Sequence, residues 1–149
     1  MAAGLLALIL IRLTPRMQLR LGGRADWRFM LADAEYFRRA LALLFAARGY
    51  TVRGLQIHHD PLDEAPREVV FALEREGTRY AALCVRWIVP VTSEVVARFV
   101  ASLAGARADI GIIVTTSIFT DGALERARGL PLELYDREHL QQWIEHAWP

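Results

Sequence analysis

Hydrophobic residues fall at helical spacing after Asp33: Ala34, Phe37, Leu41, Leu44 and Phe45 share one face, Asp33 can cap the first turn, and Gly49 supplies the stop. Tyr50 to Ile57 is rich in strand formers, and the segment His58 to Pro66, with two prolines and three acids, predicts a surface loop. The apolar runs Val69–Leu73 and Tyr80–Val85 predict a hairpin, with Glu74 to Arg79 as a connection of five or six residues that contains Gly77. Thr92 or Ser93 then caps a helix facing inward through Val95, Val96, Phe99, Val100 and Leu103, with Gly105 as its end. Ile110 to Val114 is a continuous apolar run of the kind buried on both faces of a sheet. Thr120 or Asp121 opens a helix through Arg128 that Gly129 closes. Leu132–Tyr135 forms a short strand, and Asp136 caps a last helix with Leu140, Trp143 and Ile144 on one side. The order helix, three strands, helix, strand, helix, strand, helix predicts an α/β sandwich with a mixed central sheet.

Upstream of this pattern, Ala2 to Ile11 is almost wholly apolar, but Arg12 interrupts it after about ten residues, where a spanning helix needs roughly 20. The segment lacks the positive start and small-residue cleavage site of a secretory signal, and Pro15 and Gly22-Gly23 break any long helix. Three readings stay open. It is a short element added to the domain or the stump of an anchor, a membrane-surface contact through residues 1–24, or an arginine-bearing mitochondrial transit peptide. The expected division is an extension over 1–32 and one domain over 33–149.

The chain has 149 residues, 54% of them hydrophobic and 23% charged, which suits a single globular domain and excludes a disordered adaptor. All 18 positive residues are arginine, with neither lysine nor asparagine present. A Schiff-base lysine, a Walker A loop, a lysine general base and an N-glycosylation acceptor are thereby excluded. Within a net charge of +1, residues 1–30 hold five arginines against Asp26, a balance of +4, so the remainder carries −3. DNA binding by the body of the domain therefore requires a local arginine patch. Cys84 stands alone, which excludes an intrachain disulfide, suits a reducing compartment such as the bacterial cytoplasm, and gives a metal cluster no second thiolate.

The stretch 111–135 carries a specific likeness. Thr115-Thr116-Ser117 ends the buried run, Phe119-Thr120 opens a helix whose alanines face the sheet, and Leu132–Tyr135 leads into Asp136 and Leu140. This stretch resembles the C-terminal half of the Mrr-like restriction endonuclease domain of the PD-(D/E)xK superfamily. Tyr36-Phe37, Leu43-Leu44 and Gly49-Tyr50-Thr51-Val52 resemble that family's opening helix and first strand. Tyr80 to Trp87 resembles its Tyr-Leu-Val-Gln-Cys-Lys-Arg-Trp strand, and the likeness covers roughly residues 33–147. It implies the restriction-endonuclease-like α-β-β-β-α-β-α-β-α order and a Mg²⁺-dependent phosphodiesterase. Such an enzyme uses an acid on the second strand, a Gln or Glu and a Lys two apart on the third, and often a helix-one Glu. Carboxylates would hold the hard cation through oxygen, and the lysine would position water and offset phosphate charge.

Carried over residue by residue, the strand-two acid falls on Val70, the Gln-x-Lys pair on Leu83 and Val85, and the helix-one Glu on Arg38. The resemblance therefore implies a nuclease fold without catalytic residues and without a bound metal, acting as a nucleic-acid-binding or protein-interaction module. Arg38, Arg39, Arg86, Arg126 and Arg128 are the candidate contacts to a nucleic-acid backbone. Thr115, Thr116 and Ser117 join them because they end a buried strand ahead of a helix N-terminus. The alternative is an active Mg²⁺ endonuclease whose acids have moved to Glu68, Asp60 or Glu35. His58-His59-Asp60, with Asp63 and Glu64, is the one string that suggests a metal, although adjacent histidines on extended backbone point apart. Cys84 reads as inert core, and Trp143 and Trp148 as core or contact residues.

Overall fold

The computed structural model describes residues 30–31, 33–58 and 67–147. Residues 1–29 and 32 of the N-terminal extension, His59, Asp60, Asp63, Glu64 and Trp148 lie outside the described residues.

Helix α1 (Ala34–Ala47) starts where Asp33 accepts the Tyr36 amide at 2.8 Å. It ends in a Schellman turn: Gly49, at φ +88°, donates to the Ala46 carbonyl and Tyr50 to that of Phe45. Three strands follow, β1 (Thr51–His58), β2 (Glu68–Arg75) and β3 (Thr78–Val85), then α2 (Ser93–Leu103), β4 (Ile110–Thr115), α3 (Asp121–Ala127), β5 (Leu132–Tyr135) and α4 (Arg137–Ala147). The strands lie side by side in chain order, with β1–β2 and β2–β3 antiparallel and β3–β4 and β4–β5 parallel. The mixed sheet is the expected one. Its parallel half follows from the two crossover helices α2 and α3, which return the chain to the same end of the sheet each time.

Alternation along the strands sorts the core into two layers. Phe71, Tyr80, Cys84, Ile112 and Val114 face α1 and α4, where Phe45 and Trp143 meet edge-on at 5.9 Å. Ala81, Leu83, Val85 and Ile113 face α2 and α3 and pack with Val95, Val96, Phe99 and Ala123. The result is a three-layer sandwich in which β3 and β4 are covered on both faces.

Two local expectations change. The hairpin connection is only Glu76-Gly77, both at positive φ (52° and 78°), and the strands extend through Arg75 and from Thr78. Positive φ at both central residues is the signature of the turn whose twist matches a two-residue hairpin. At the end of α2 the left-handed residue is Arg107 (φ 53°), not Gly105, and the Ala108 amide reaches back to the Leu103 carbonyl. Gly111 has a different task, because a Cβ there would lie 2.9 Å from Phe99 and from Leu132. Any larger residue would make Phe99 or Leu132 shift at that point.

Candidate functional site

The β2–β3 ladder pairs Val70 with Leu83 and Glu68 with Val85, and β3–β4 pairs Leu83 with Ile113 and Val85 with Thr115. Val70, Leu83 and Val85 therefore share one side of the sheet. Val85 is fully buried, Leu83 is buried and Val70 is half-buried. They belong to the apolar layer that also holds Val91, Val95 and Val96, with Trp87 packed against it. Cys84 points to the opposite layer, and burial pushes its thiol well above the ordinary range, which leaves little thiolate for chemistry. Among the described residues, no group of three or more His, Cys, Asp or Glu side chains could hold a metal ion.

The charged residues of this end of the sheet gather instead at a cleft of about 250 Å³ beside the first turns of α1. Glu35, Arg38, Arg67 and Glu68 line it, over Phe37, Ile57 and Val69. Helix α1 delivers Glu35 and Arg38, and the start of β2 delivers Arg67 and Glu68 from across the loop. Glu35 forms an ion pair with Arg39 one helical turn on, rather than with Arg38. Sequence reasoning missed Arg67 as a member of this site. Its only signal is its place immediately before the candidate acid Glu68.

The other sequence candidates do not converge on one surface. Arg38 and Arg39 stand on α1, whereas Arg126 and Arg128 stand on or beside α3, across the sheet, where Arg128 pairs with Glu125 at 3.2 Å. Arg86 turns inward. Its amide donates to the Arg67 carbonyl at 2.8 Å and its Nη1 to the Leu31 carbonyl at 2.7 Å, while its buried Nε has no partner among the described residues.

Thr115, Thr116 and Ser117 are all buried, and their hydroxyls are spent within the fold. Thr115 Oγ1 accepts from the Ser117 amide, Thr116 Oγ1 donates to the Trp87 carbonyl at 2.7 Å, and Ser117 Oγ donates to the Ile88 carbonyl at 3.3 Å. They tie the segment after β4 to the segment after β3. Thr120 caps α3 by accepting from the Ala123 amide.

Comparison with known proteins adds the ancestry of this arrangement. The family model Mrr_cat, described as restriction endonuclease, matches residues 31–144. No curated protein sequence matches the chain. Among solved structures, the protein of unknown function AF1548 is 20% identical with a TM-score of 0.51, over 68% of this chain and 61% of its own. The DNA modification-dependent restriction endonuclease AspBHI is 16% identical with a TM-score of 0.46, over 99% of this chain and 36% of its own. The chain thus spans less than two thirds of either protein. The likeness to AF1548 is one of fold.

Proposed function

Because the chain belongs to the Mrr_cat restriction endonuclease family, matched over residues 31–144, we propose that it is a nuclease-fold domain that does not cleave and serves to bind nucleic acid. One observation carries this reading: the ladder positions corresponding by resemblance to the family's acid, Gln and Lys are Val70, Leu83 and Val85, within an apolar layer. The residues present do not fit Mg²⁺ there. Three aliphatic side chains offer the ion no oxygen, and moving a divalent cation from water into such a layer has nothing to offset its lost hydration. Without that metal the nonbridging oxygens of a phosphodiester gain no charge neutralisation at this place, and none of Val70, Leu83 and Val85 can activate water.

DNA is the partner class favoured by the family. The cleft at the start of α1 is the place on this domain for its backbone, since Arg38 and Arg67 line it and Arg39 stands one residue further along the helix. Guanidinium groups suit phosphate oxygens through paired N–H donors. Arg86, Thr115, Thr116 and Ser117 hold the framework through their hydrogen bonds to neighbouring segments.

The deciding experiment incubates the pure full chain with plasmid and with linear duplex DNA, with and without Mg²⁺ or Mn²⁺, and follows both cleavage and binding across a salt series. The expected result is binding without nicking, with affinity falling steeply as salt rises because each phosphate contact releases a counterion. Arg38→Ala should weaken binding on all sequences alike. Absence of binding at low salt would turn the search toward a protein partner.

A second reading has its own observation. Glu35 and Glu68 line one cleft, and Glu68 stands opposite Val85 in the β2–β3 ladder. Metal-dependent nicking that Glu35→Gln or Glu68→Gln abolishes would establish that reading and end the first.

A further inference from the structure

Helices α1 and α4 leave a second opening between them, at the far end of α1 from the cleft of Arg38 and Arg67. It has a volume of about 530 Å³, and Arg48, His139, Gln142 and His146 line it over Leu44 and Trp143. That size lies within the range of small-molecule sites. All four polar residues are exposed, and no described residue that lines the opening is acidic. By helical spacing His139, Gln142, Trp143 and His146 share one side of α4, while Glu138 and Glu145 fall on the side away from Trp143.

Each basic group is held with a nitrogen to spare. The Arg48 guanidinium lies over the Trp143 ring at 4.4 Å, and the Arg48 carbonyl accepts from Arg75 at 3.3 Å, which fixes the turn that carries it. Among the described residues no carboxylate pairs with Arg48. A guanidinium seated on an aromatic face keeps N–H groups at its edge for an anion. His146 Nδ1 is 2.8 Å from the Gln142 carbonyl; a carbonyl only accepts, so Nδ1 carries the proton and Nε2 is left for a ligand. His139 is set the same way by Asp136, whose carboxylate lies 2.8 Å from its Nδ1. Near neutrality an imidazole Nε2 takes up a proton readily and then donates to an anion.

The spacing narrows the ligand. His139 and His146 are seven residues apart, about 10 Å along the helix axis. Asp136 draws the His139 ring further toward the start of α4. One phosphate therefore meets only one of them, whereas two phosphates separated by a nucleoside span the row. Leu44 and Ala47 supply an apolar wall for what lies between.

We propose that the opening between α1 and α4 binds a nucleoside carrying a phosphate on each side, as a free 3′,5′-bisphosphate or as one unit of a single strand. Arg38 and Arg48 are ten residues apart, about 15 Å along α1, so the site stands whether or not the cleft binds DNA.

The test titrates the full chain calorimetrically with adenosine, AMP, pyrophosphate and adenosine 3′,5′-bisphosphate. The bisphosphate should bind about tenfold more tightly than AMP or pyrophosphate, and adenosine should not bind. Arg48→Gln should weaken the bisphosphate about tenfold, and His146→Gln, at an exposed position, should reduce it to the level of AMP. Equal affinity for AMP and bisphosphate would overturn the proposal, as would pyrophosphate binding as tightly as the bisphosphate. Wild-type affinity in both variants, or no binding of the bisphosphate to wild type, would do the same. In imidazole nitrogen NMR the Nε2 signals of His139 and His146, assigned with the single glutamine variants, should move when the bisphosphate is added; signals that stay in place would refute the site. Displacement of the bound bisphosphate by a short single strand would identify the strand as the source of the ligand, and failure to displace it would identify the free nucleotide.

Discussion

Val70 stands directly opposite Leu83 across the antiparallel β2–β3 pair, and Leu83 is in turn level with Ile113 on β4. This row of three aliphatic side chains crosses the sheet where the family resemblance sets an acid facing a Gln or Glu. An apolar row of this kind has a thermodynamic signature. Val70→Asp would bring a carboxylate into a half-buried site beside Leu83 and the apolar layer, and should lower the unfolding free energy by about 2 kcal/mol. Urea denaturation at neutral pH measures it. A stability equal to wild type would mean that the position is wet enough to hold an acid, and the inactive reading would lose its physical basis.

The hairpin turn makes a second prediction. Gly77 sits at φ +78° with open space around the position of a Cβ, so Gly77→Ala carries a backbone penalty alone, about 1 kcal/mol. Glu76, at φ 52°, adopts the same left-handed region at a cost that asparagine bears more easily. Glu76→Asn should therefore stabilise the protein by a few tenths of a kcal/mol or more, roughly. Thermal unfolding of the two variants should shift in opposite directions.

Gly111 supplies the third. Its added Cβ would meet the side chains of Phe99 and Leu132 at 2.9 Å and of Leu103 at 3.1 Å, between α2, β4 and β5. Gly111→Ala should destabilise by about 1–3 kcal/mol through overpacking. Pairing it with Leu132→Ala, which removes one of the clashing groups, should cost less than the sum of the two single changes when measured by the same denaturation.

Most elements were legible because their signals are local. Asp33, Thr120 and Asp136 each accept amides at a helix start, and Gly49 and Gly129 take the left-handed φ their positions suggest. The hairpin connection was overestimated because Glu74, Arg75, Thr78 and Arg79 look like loop residues yet occupy the ladder. There Arg53 pairs with Glu74 at 3.1 Å and Arg75 lies over the Tyr50 ring at 4.1 Å. Gly105 drew attention as a helix end, whereas the left-handed residue after α2 is the exposed Arg107, held by local backbone hydrogen bonds to Ala104 and Leu103. The side-chain roles were less legible still. Nothing in Thr115-Thr116-Ser117 says that its hydroxyls turn toward the loop after β3, and the cleft joins Glu35 and Arg38 to Arg67 and Glu68 only once the first three strands and α1 are in place.

The last prediction concerns acid. Asp136 caps α4, where burial alone would raise its carboxyl, but hydrogen bonds from the His139 amide and ring and from the Glu138 amide outweigh burial and hold it below the ordinary carboxylate range. A carboxyl depressed in the folded state contributes stability that is fully present above its unfolded value and is lost as pH falls through the folded one. Wild type should therefore lose stability between the ordinary aspartate range and more acidic pH, in part through this cap. Asp136→Asn keeps a capping oxygen but cannot ionise, so it should be less stable than wild type near neutrality, with the gap closing as the pH falls through that window. Urea midpoints of both proteins over a pH series provide the check, and a gap that stays constant down to the most acidic point would show that the cap's charge contributes nothing.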